Sequence, residues 1–350
     1  MPSVPADRLR TIARRLLEGA GAPADEAATV ARHCVEANLA GHDSHGVIQI
    51  PTYIDRIDKD HIVPGAPIEV IQESPTTTVI DGHWGFGYVV TEHAMRTTIA
   101  KAETANIAAA TVFRQGHIGR LAAYPLMAVA HDMIGLITAD SGRSAKAVAP
   151  FGGREARLGT NPISIAVPSE LESPLFIDMA TSAVAAGKVN LALARGLPVP
   201  EGWIVDADGQ PATDPARLKA GGALLPLGGS EGYKGFGLST IVEIFSGLLT
   251  GLGFGVEPSG RHNDGCFMLA VKVEAFRPLP EFKREVAALA AYLKATPPAD
   301  GFEEVMYPGE IESRRATTNA DMGIAVEDST WAALANLAGR FKMAEELGLP

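Results

Sequence analysis

Cysteine is scarce, with Cys34 and Cys266 the only two in 350 residues. They lie far apart and form no CxxC or zinc-ribbon spacing, so neither a disulfide scaffold nor a structural zinc site is indicated, and buried free thiols are expected. Positive charge is also short: 30 Lys and Arg against 41 Asp and Glu leave a formal net charge of -11. Phosphate backbones need a basic stripe of Lys and Arg, which argues against nucleic acid as a partner, although an anionic small substrate is compatible with locally reversed charge in a cleft. Long apolar runs are few. The one candidate membrane span, Phe236 to Phe254, is interrupted by Glu243 and several glycines and reads as a buried core helix. The N-terminus has no continuous apolar segment or small-residue cleavage site, so no secretory signal, no membrane partner and a cytoplasmic location are expected.

Three nucleotide and hydrolase signatures are missing as well. No strand is followed by GxGxxG with an acidic residue about 20 positions on; Gly251–Gly255 follows a helix instead. No Walker A loop or GxSxG elbow occurs, which removes P-loop NTPases and α/β-hydrolases.

Glycine, by contrast, is plentiful at 37 residues, and 46% of the chain is hydrophobic, as in a soluble enzyme-sized globule of about two domains. Helical spacing of Leu9, Ile12, Ala13, Leu16 and Leu17 predicts a first helix capped by Asp7. A second is predicted from about Asp25 to Leu39 with Gly41 as its stop, and a third from Ile48 to Ile57. Short β-like runs follow at 68–71, 76–80, 108–112, 134–139, 163–167, 175–177 and 266–273, with helical patterns at 89–106 and 122–133. The chain returns to helices at 281–294 and 329–347, separated by a loop at 296–310. The expected fold is α+β. A helical domain (1–74 with 281–350) carries the first histidine motif and encloses an α+β domain (75–280).

The motif Gly41-His42-Asp43-Ser44-His45-Gly46-Val47 leaves the end of a helix with two imidazoles, a hydroxyl and a carboxylate between glycines. Imidazole exchanges a proton near neutral pH, and an adjacent hydroxyl can orient it; the plain alternative is a polar turn. Gly116-His117-Ile118-Gly119-Arg120 lies between a predicted strand and helix, where backbone amides favour phosphate. Thr160 and Asn161 offer uncharged hydrogen bonds to a polar substrate. In the run Ile177–Lys188, small residues leave room for a flat ring, Asp178 could bind hydroxyls and Lys188 an anion. Gly232–Gly237 places Tyr233 and Lys234 at the start of the longest apolar helix.

Read together, GHDSHGV, GHIGRLAAYP, FGGREARLGTNPISIAVP, IDMATSAVAAGKV, GYKGFGLSTIVEIFSG and YPGEIESRR resemble, in order and spacing, the malate/L-lactate dehydrogenase family of the non-Rossmann type. Within that family the chain looks most like bacterial hydroxycarboxylate dehydrogenases. The resemblance implies a largely antiparallel sheet domain flanked by helices, and an NAD(P)-dependent oxidoreductase interconverting 2-hydroxy and 2-oxo acids. NAD is expected as cofactor, with NADP as the alternative, and a homodimer with the active site near its interface. Carried over by position, His45 is the general acid/base and Ser44 its orienting partner, while His117 is a second candidate for the proton-moving group. The segments His117, Ile118, Gly119, Arg120 and Leu121, then Asp178, Met179 and Ala180, Tyr233 and Lys234, and Gly309, Glu310, Ile311 and Glu312 match cofactor-binding positions. Lys188 joins them as an anion partner, and Thr160 matches a substrate contact.

Three departures bear on the site. Gln49 stands where many relatives have an arginine for the substrate carboxylate, leaving Arg120, His117, Lys188 or backbone amides to hold it. Lys188 stands where the imino-acid reductase has a relay Asp, which favours ordinary 2-hydroxy acid chemistry. Tyr233 replaces a histidine. No metal is expected. Two rival readings remain: a metal-dependent hydrolase or lyase using His42, Asp43 and His45 with His117 or His262, and a non-catalytic small-molecule binding protein, against which the presence of His45 argues.

Overall fold

The computed structural model describes residues 1–140, 143–256, 261 and 264–349. His262 falls outside them. The helices Ala6–Gly19 and Ala24–Leu39 form where the apolar spacing places them, and Leu9, Ile12, Leu16 and Leu17 of the first are buried. Asp7 sits inside the first turn rather than at the cap, which Pro5 occupies without a side-chain hydrogen bond; proline pre-sets the backbone for helix entry. These helices, with Ile50–Asp58, share a core with Ile324, Val326, Leu334 and Ala338 from the C-terminal part of the chain. Each large side chain buried there contributes about 1.5–3 kcal/mol. A two-stranded ribbon, Ser3–Val4 antiparallel to Ile324–Ala325, fastens the two ends together.

The centre is a seven-stranded sheet. Its spatial order is Glu69–Glu73, Thr77–Gly85, Ile107–Gln115, Gly265–Lys272, Met133–Asp140, Ile163–Val167 and Leu175–Met179. Only Thr77–Gly85 and Ile107–Gln115 pair in parallel, because the helix Gly87–Ala105 carries the chain back across the sheet between them; every other pairing is antiparallel. The fold is thus α+β and not of Rossmann topology.

The polar helix Glu310–Met322, the helix Ala186–Arg195 and a small sheet of Ile204–Val205, Pro211–Ala212 and Ala223–Leu224 were not evident from apolar spacing. Glu310–Met322 buries only Glu310 among its residues, so it has no apolar stripe to recognise. The expected helix at 329–347 is broken into Asp328–Arg340 and Ala344–Leu347 at Lys342, whose φ is 60°. The apolar run after Gly232 forms Tyr233–Glu243 and continues through a π turn, Ile244–Leu248. No helix among the described residues is long and apolar enough to cross a membrane.

Candidate active site

The first histidine motif is held by the helix it leaves. Gly41, with φ of 78°, turns the chain out of Ala24–Leu39, and Asn38 then grips the returning loop at two points. Its Nδ2 donates to Asp43 Oδ1 (2.7 Å), and its Oδ1 accepts from the Val47 amide (2.9 Å). Gly46 is required at this crossing, because a Cβ there would lie 2.3 Å from Asn38 Oδ1. Gln49 Nε2 donates to the Ser44 carbonyl (2.7 Å), completing the clamp. Within it, Ser44 Oγ lies 3.1 Å from His45 Nδ1. A single amide on an otherwise apolar helix face, one turn before a glycine, was the available signal for Asn38.

His45 faces the sheet across a cleft of about 930 Å³, whose lining includes Ser44, Arg120, Thr160, Asp178 and Lys188. The His117 ring stacks on that of His45, with centroids 5.7 Å apart and planes 14° apart. Arg120 lies over the Phe176 ring (5.2 Å) with its Nε 3.9 Å from Asp178, and that buried Nε has no hydrogen-bond partner. Two amides at this strand-to-helix turn are engaged within the protein: Ala122 N–H donates to Asp178 Oδ2 (2.8 Å) and Ile118 N–H to Asp264 Oδ2 (3.1 Å). Burial pushes the His45 pKa below its usual value, and His42 and Arg120 push the same way against Asp178 and Asp264. The imidazole is therefore neutral at pH 7, ready to accept a proton.

Thr160 reaches the cleft from a loop with its own support. Thr181 Oγ1 donates to the carbonyls of Thr160 (3.1 Å) and Asn161 (2.9 Å), and Asn161 holds a left-handed φ of 40°. Asn161 Nδ2 donates to Glu243 Oε2 (2.9 Å), beside Lys146, which bridges Glu243 (3.2 Å) and Asp140 (3.4 Å). Burial outweighs Lys146 and raises the Asp140 pKa to about 7.

Not every expected residue gathers at the cleft. Gln49 is absent from the lining and is spent on the Ser44 loop. Tyr233 packs against Phe151 (6.0 Å), which borders a second hollow of about 380 Å³, and Lys234 pairs with Glu231 (3.2 Å). Of the Gly309–Glu312 segment, Glu310 is bound to Lys294 (2.5 Å) and Arg314 (2.6 Å), Ile311 is exposed, and Glu312 lies 3.7 Å from His42 Nε2. The described side chains close enough to share one ion are Glu69, Asp81 and His83, a set distinct from His42, Asp43 and His45, and Asp81 is already bonded by Arg114.

The sequence pattern of malate/L-lactate dehydrogenases matches residues 4–335. The chain is 37% identical over 312 residues to the L-sulfolactate dehydrogenase of Methanocaldococcus jannaschii, covering 87% of this chain and 88% of that one. It is 31% identical over 347 residues to hydroxycarboxylate dehydrogenase B of Escherichia coli K12, covering 97% and 95%. The crystal structure of malate dehydrogenase from Entamoeba histolytica superposes with a TM-score of 0.93 at 31% identity, covering 97% of this chain and 98% of that one. With its non-Rossmann sheet and its histidine-lined cleft, this chain belongs to the malate/L-lactate dehydrogenase family and is an NAD(P)-dependent oxidoreductase of 2-hydroxy and 2-oxo acids.

Proposed function

We propose that the cleft beside His45 is the active site and that His45 is its general acid/base. The observation that carries this reading is a desolvated imidazole, oriented by Ser44, opposite an arginine whose buried Nε lacks a hydrogen-bond partner. Ser44 holds Nδ1, which directs Nε2 to the substrate oxygen. In oxidation Nε2 takes the hydroxyl proton, and in reduction it returns a proton to the alkoxide. Arg120 takes the place of the missing arginine at position 49 and binds the substrate carboxylate, while Thr160 hydrogen-bonds the substrate.

The residues fit a dinucleotide. The cleft is at the upper end of the usual range for ligand sites, roughly 300–1,000 Å³, and small side chains from Ala180 to Gly187 border one wall. When bound, NAD(P) would contribute hydride chemistry at the substrate's C2. Asp178 and the 117–121 loop would hold it, with Lys188 at the rim; Tyr233, Lys234 and Gly309–Glu312 would join only through a different part of the cofactor or a partner subunit. Arg120 and Lys188 are the only lysine or arginine among the described lining residues, which supports NAD over NADP because a 2′-phosphate needs its own basic pocket.

The same reading makes residues 1–74 with 281–350 the helical unit that supplies His45, and 75–280 the cofactor and substrate unit. It places the protein in the cytoplasm, consistent with two buried free thiols, and as a homodimer. Ile241, Ile244, Phe245 and Leu248 along one exposed helical stretch offer apolar surface for a second copy. The test is loss of reduced-nicotinamide absorbance with NADH or NADPH against 2-oxo acids from glyoxylate to phenylpyruvate, with and without chelator. Chelator-insensitive oxidation that is faster with NADH is expected. No oxidation of either cofactor would overturn the reading, and loss on chelation would favour the metal-dependent alternative.

A further inference from the structure

Between the helical core and the cleft runs a buried line of hydrogen-bonding groups that the acid–base scheme does not use. Cys34 Sγ lies 3.8 Å from Tyr88 Oη, Tyr88 Oη 2.9 Å from Tyr53 Oη, and Tyr53 Oη 2.7 Å from His117 Nδ1. Cys34, Tyr53 and Tyr88 are all shut off from solvent. Burial pushes both phenols well above their usual pKa and the thiol up to about 12, so each keeps its proton throughout the neutral range.

We propose that Tyr53, backed by Tyr88 and Cys34, is a positioning residue that locks His117 as the Nε2–H tautomer, a fixed hydrogen-bond donor, and so leaves His45 as the imidazole that moves the proton. The direction of the line follows from its acceptors. An unprotonated imidazole nitrogen is far more basic than a phenol oxygen, so the favoured arrangement has Tyr53 O–H donating to Nδ1 rather than Nδ1–H donating to Tyr53. Tyr88 O–H then donates to Tyr53, and the thiol donates to Tyr88 at the end of the line. With Nδ1 an acceptor, the ring proton of neutral His117 sits on Nε2.

The stacked imidazoles reinforce the division. At 5.7 Å between centroids, a cation on one ring opposes a cation on the other. His45 is faced by Asp178 and Asp264, which favour its cation, and by His42, Arg120, Ser44 and His117. The neighbours of His117 found in the helical core are the neutral hydroxyl-bearing rings of Tyr53 and Tyr88. Of this pair, His45 is the ring beside which Asp178 and Asp264 favour a cation, against the burial that opposes it. The inference rests on His45 being the acid/base, but its central observable, the tautomer, does not depend on turnover.

Nitrogen NMR of the full-length protein labelled with nitrogen-15 histidine reads that tautomer, with His117→Gln used to assign the signals. The wild type is expected to show His117 protonated at Nε2 and bare at Nδ1, and to keep that pattern while His45 titrates. Tyr53→Phe should mix the tautomers, lower kcat about tenfold, the scale of one misplaced polar contact, and add a second ionisation to the pH–rate profile with cofactor KM little changed. Tyr88→Phe leaves the Tyr53 hydroxyl on Nδ1 and should preserve the tautomer, which keeps the test open if Tyr53→Phe fails to fold. A wild-type proton on Nδ1, or a His117 that titrates in place of His45, would overturn the proposal. So would a tautomer unmoved by Tyr53→Phe. Absence of 2-oxo acid reduction would instead remove the acid–base reading while leaving the tautomer measurable.

Discussion

The helix Ala24–Leu39 supports two histidine sites of opposite character. On its flank, His33 is buried against Glu92 (2.9 Å), which also binds Arg32 and Arg96, and its ring lies against Tyr88 and Tyr124. Burial opposes ionisation of Glu92, yet His33 and Arg32 overcome it and hold the carboxyl near 2, at a pKa of about 2. Past the end of the same helix, His45 has a hydroxyl on one nitrogen, an open cleft beside it, and a neighbouring arginine with an unmatched Nε. The first cluster is matched internally and holds structure. The second keeps polar capacity in reserve, and reserve of that kind, next to a cavity, marks chemistry.

The largest effect should come from breaking the open site. His45→Ala is expected to lower kcat by about 100-fold or more, the usual size of general acid/base catalysis, with cofactor affinity by fluorescence titration little changed. Glu92→Ala does the opposite. It leaves His33 without its carboxylate and should cost about 3 kcal/mol in denaturant unfolding, the lower end for breaking a buried pair, because Arg32 and Arg96 still reach solvent. Activity per folded molecule should survive.

Arg120→Gln sharpens the contrast within the cleft. It should raise the KM for small 2-oxo acids about tenfold or more, the scale of one charge-assisted hydrogen bond, with thermal stability close to wild type; an unchanged KM would return the carboxylate to Lys188 or His117. The smallest effect is expected at Asp140, another buried carboxyl, whose partner Lys146 does not overcome burial. A carboxyl raised to about 7 contributes stability that is complete below its unfolded pKa and is lost as pH rises through about 7. Glu92 behaves inversely, its contribution being present above the unfolded value and lost as pH falls through about 2. Asp140→Asn should therefore flatten the decline in melting temperature between about pH 4 and about pH 7.

The parts legible in the sequence were those written in strong local signals. Apolar spacing located the first two helices within a residue or so at each end, and all seven strands of the central sheet lie where β-like runs occur. The His45 loop was visible because two glycines frame it, Gly41 demanded by its φ of 78° and Gly46 by its contact with Asn38. What stayed hidden depends on partners distant in sequence. Nothing near Tyr53 announces His117, 64 positions away. Asp178 was legible as a candidate to bind hydroxyls, but the Ala122 amide that donates to it, 56 positions away, was not. Gln49 stands at a position expected to meet the substrate, and nothing in the sequence shows that its amide donates to the Ser44 carbonyl.

The central claim is that the reaction takes place at His45 with the carboxylate on Arg120. The most direct measurement is a crystal structure with NAD(H) and oxamate, an unreactive mimic of a small 2-oxo acid. The account predicts oxamate in the His45 cleft, its carboxylate on the Arg120 guanidinium and its carbonyl oxygen within hydrogen-bond reach of His45 Nε2. Oxamate bound beside Phe151 and Tyr233, or in the His45 cleft with its carboxylate turned away from Arg120, would contradict it.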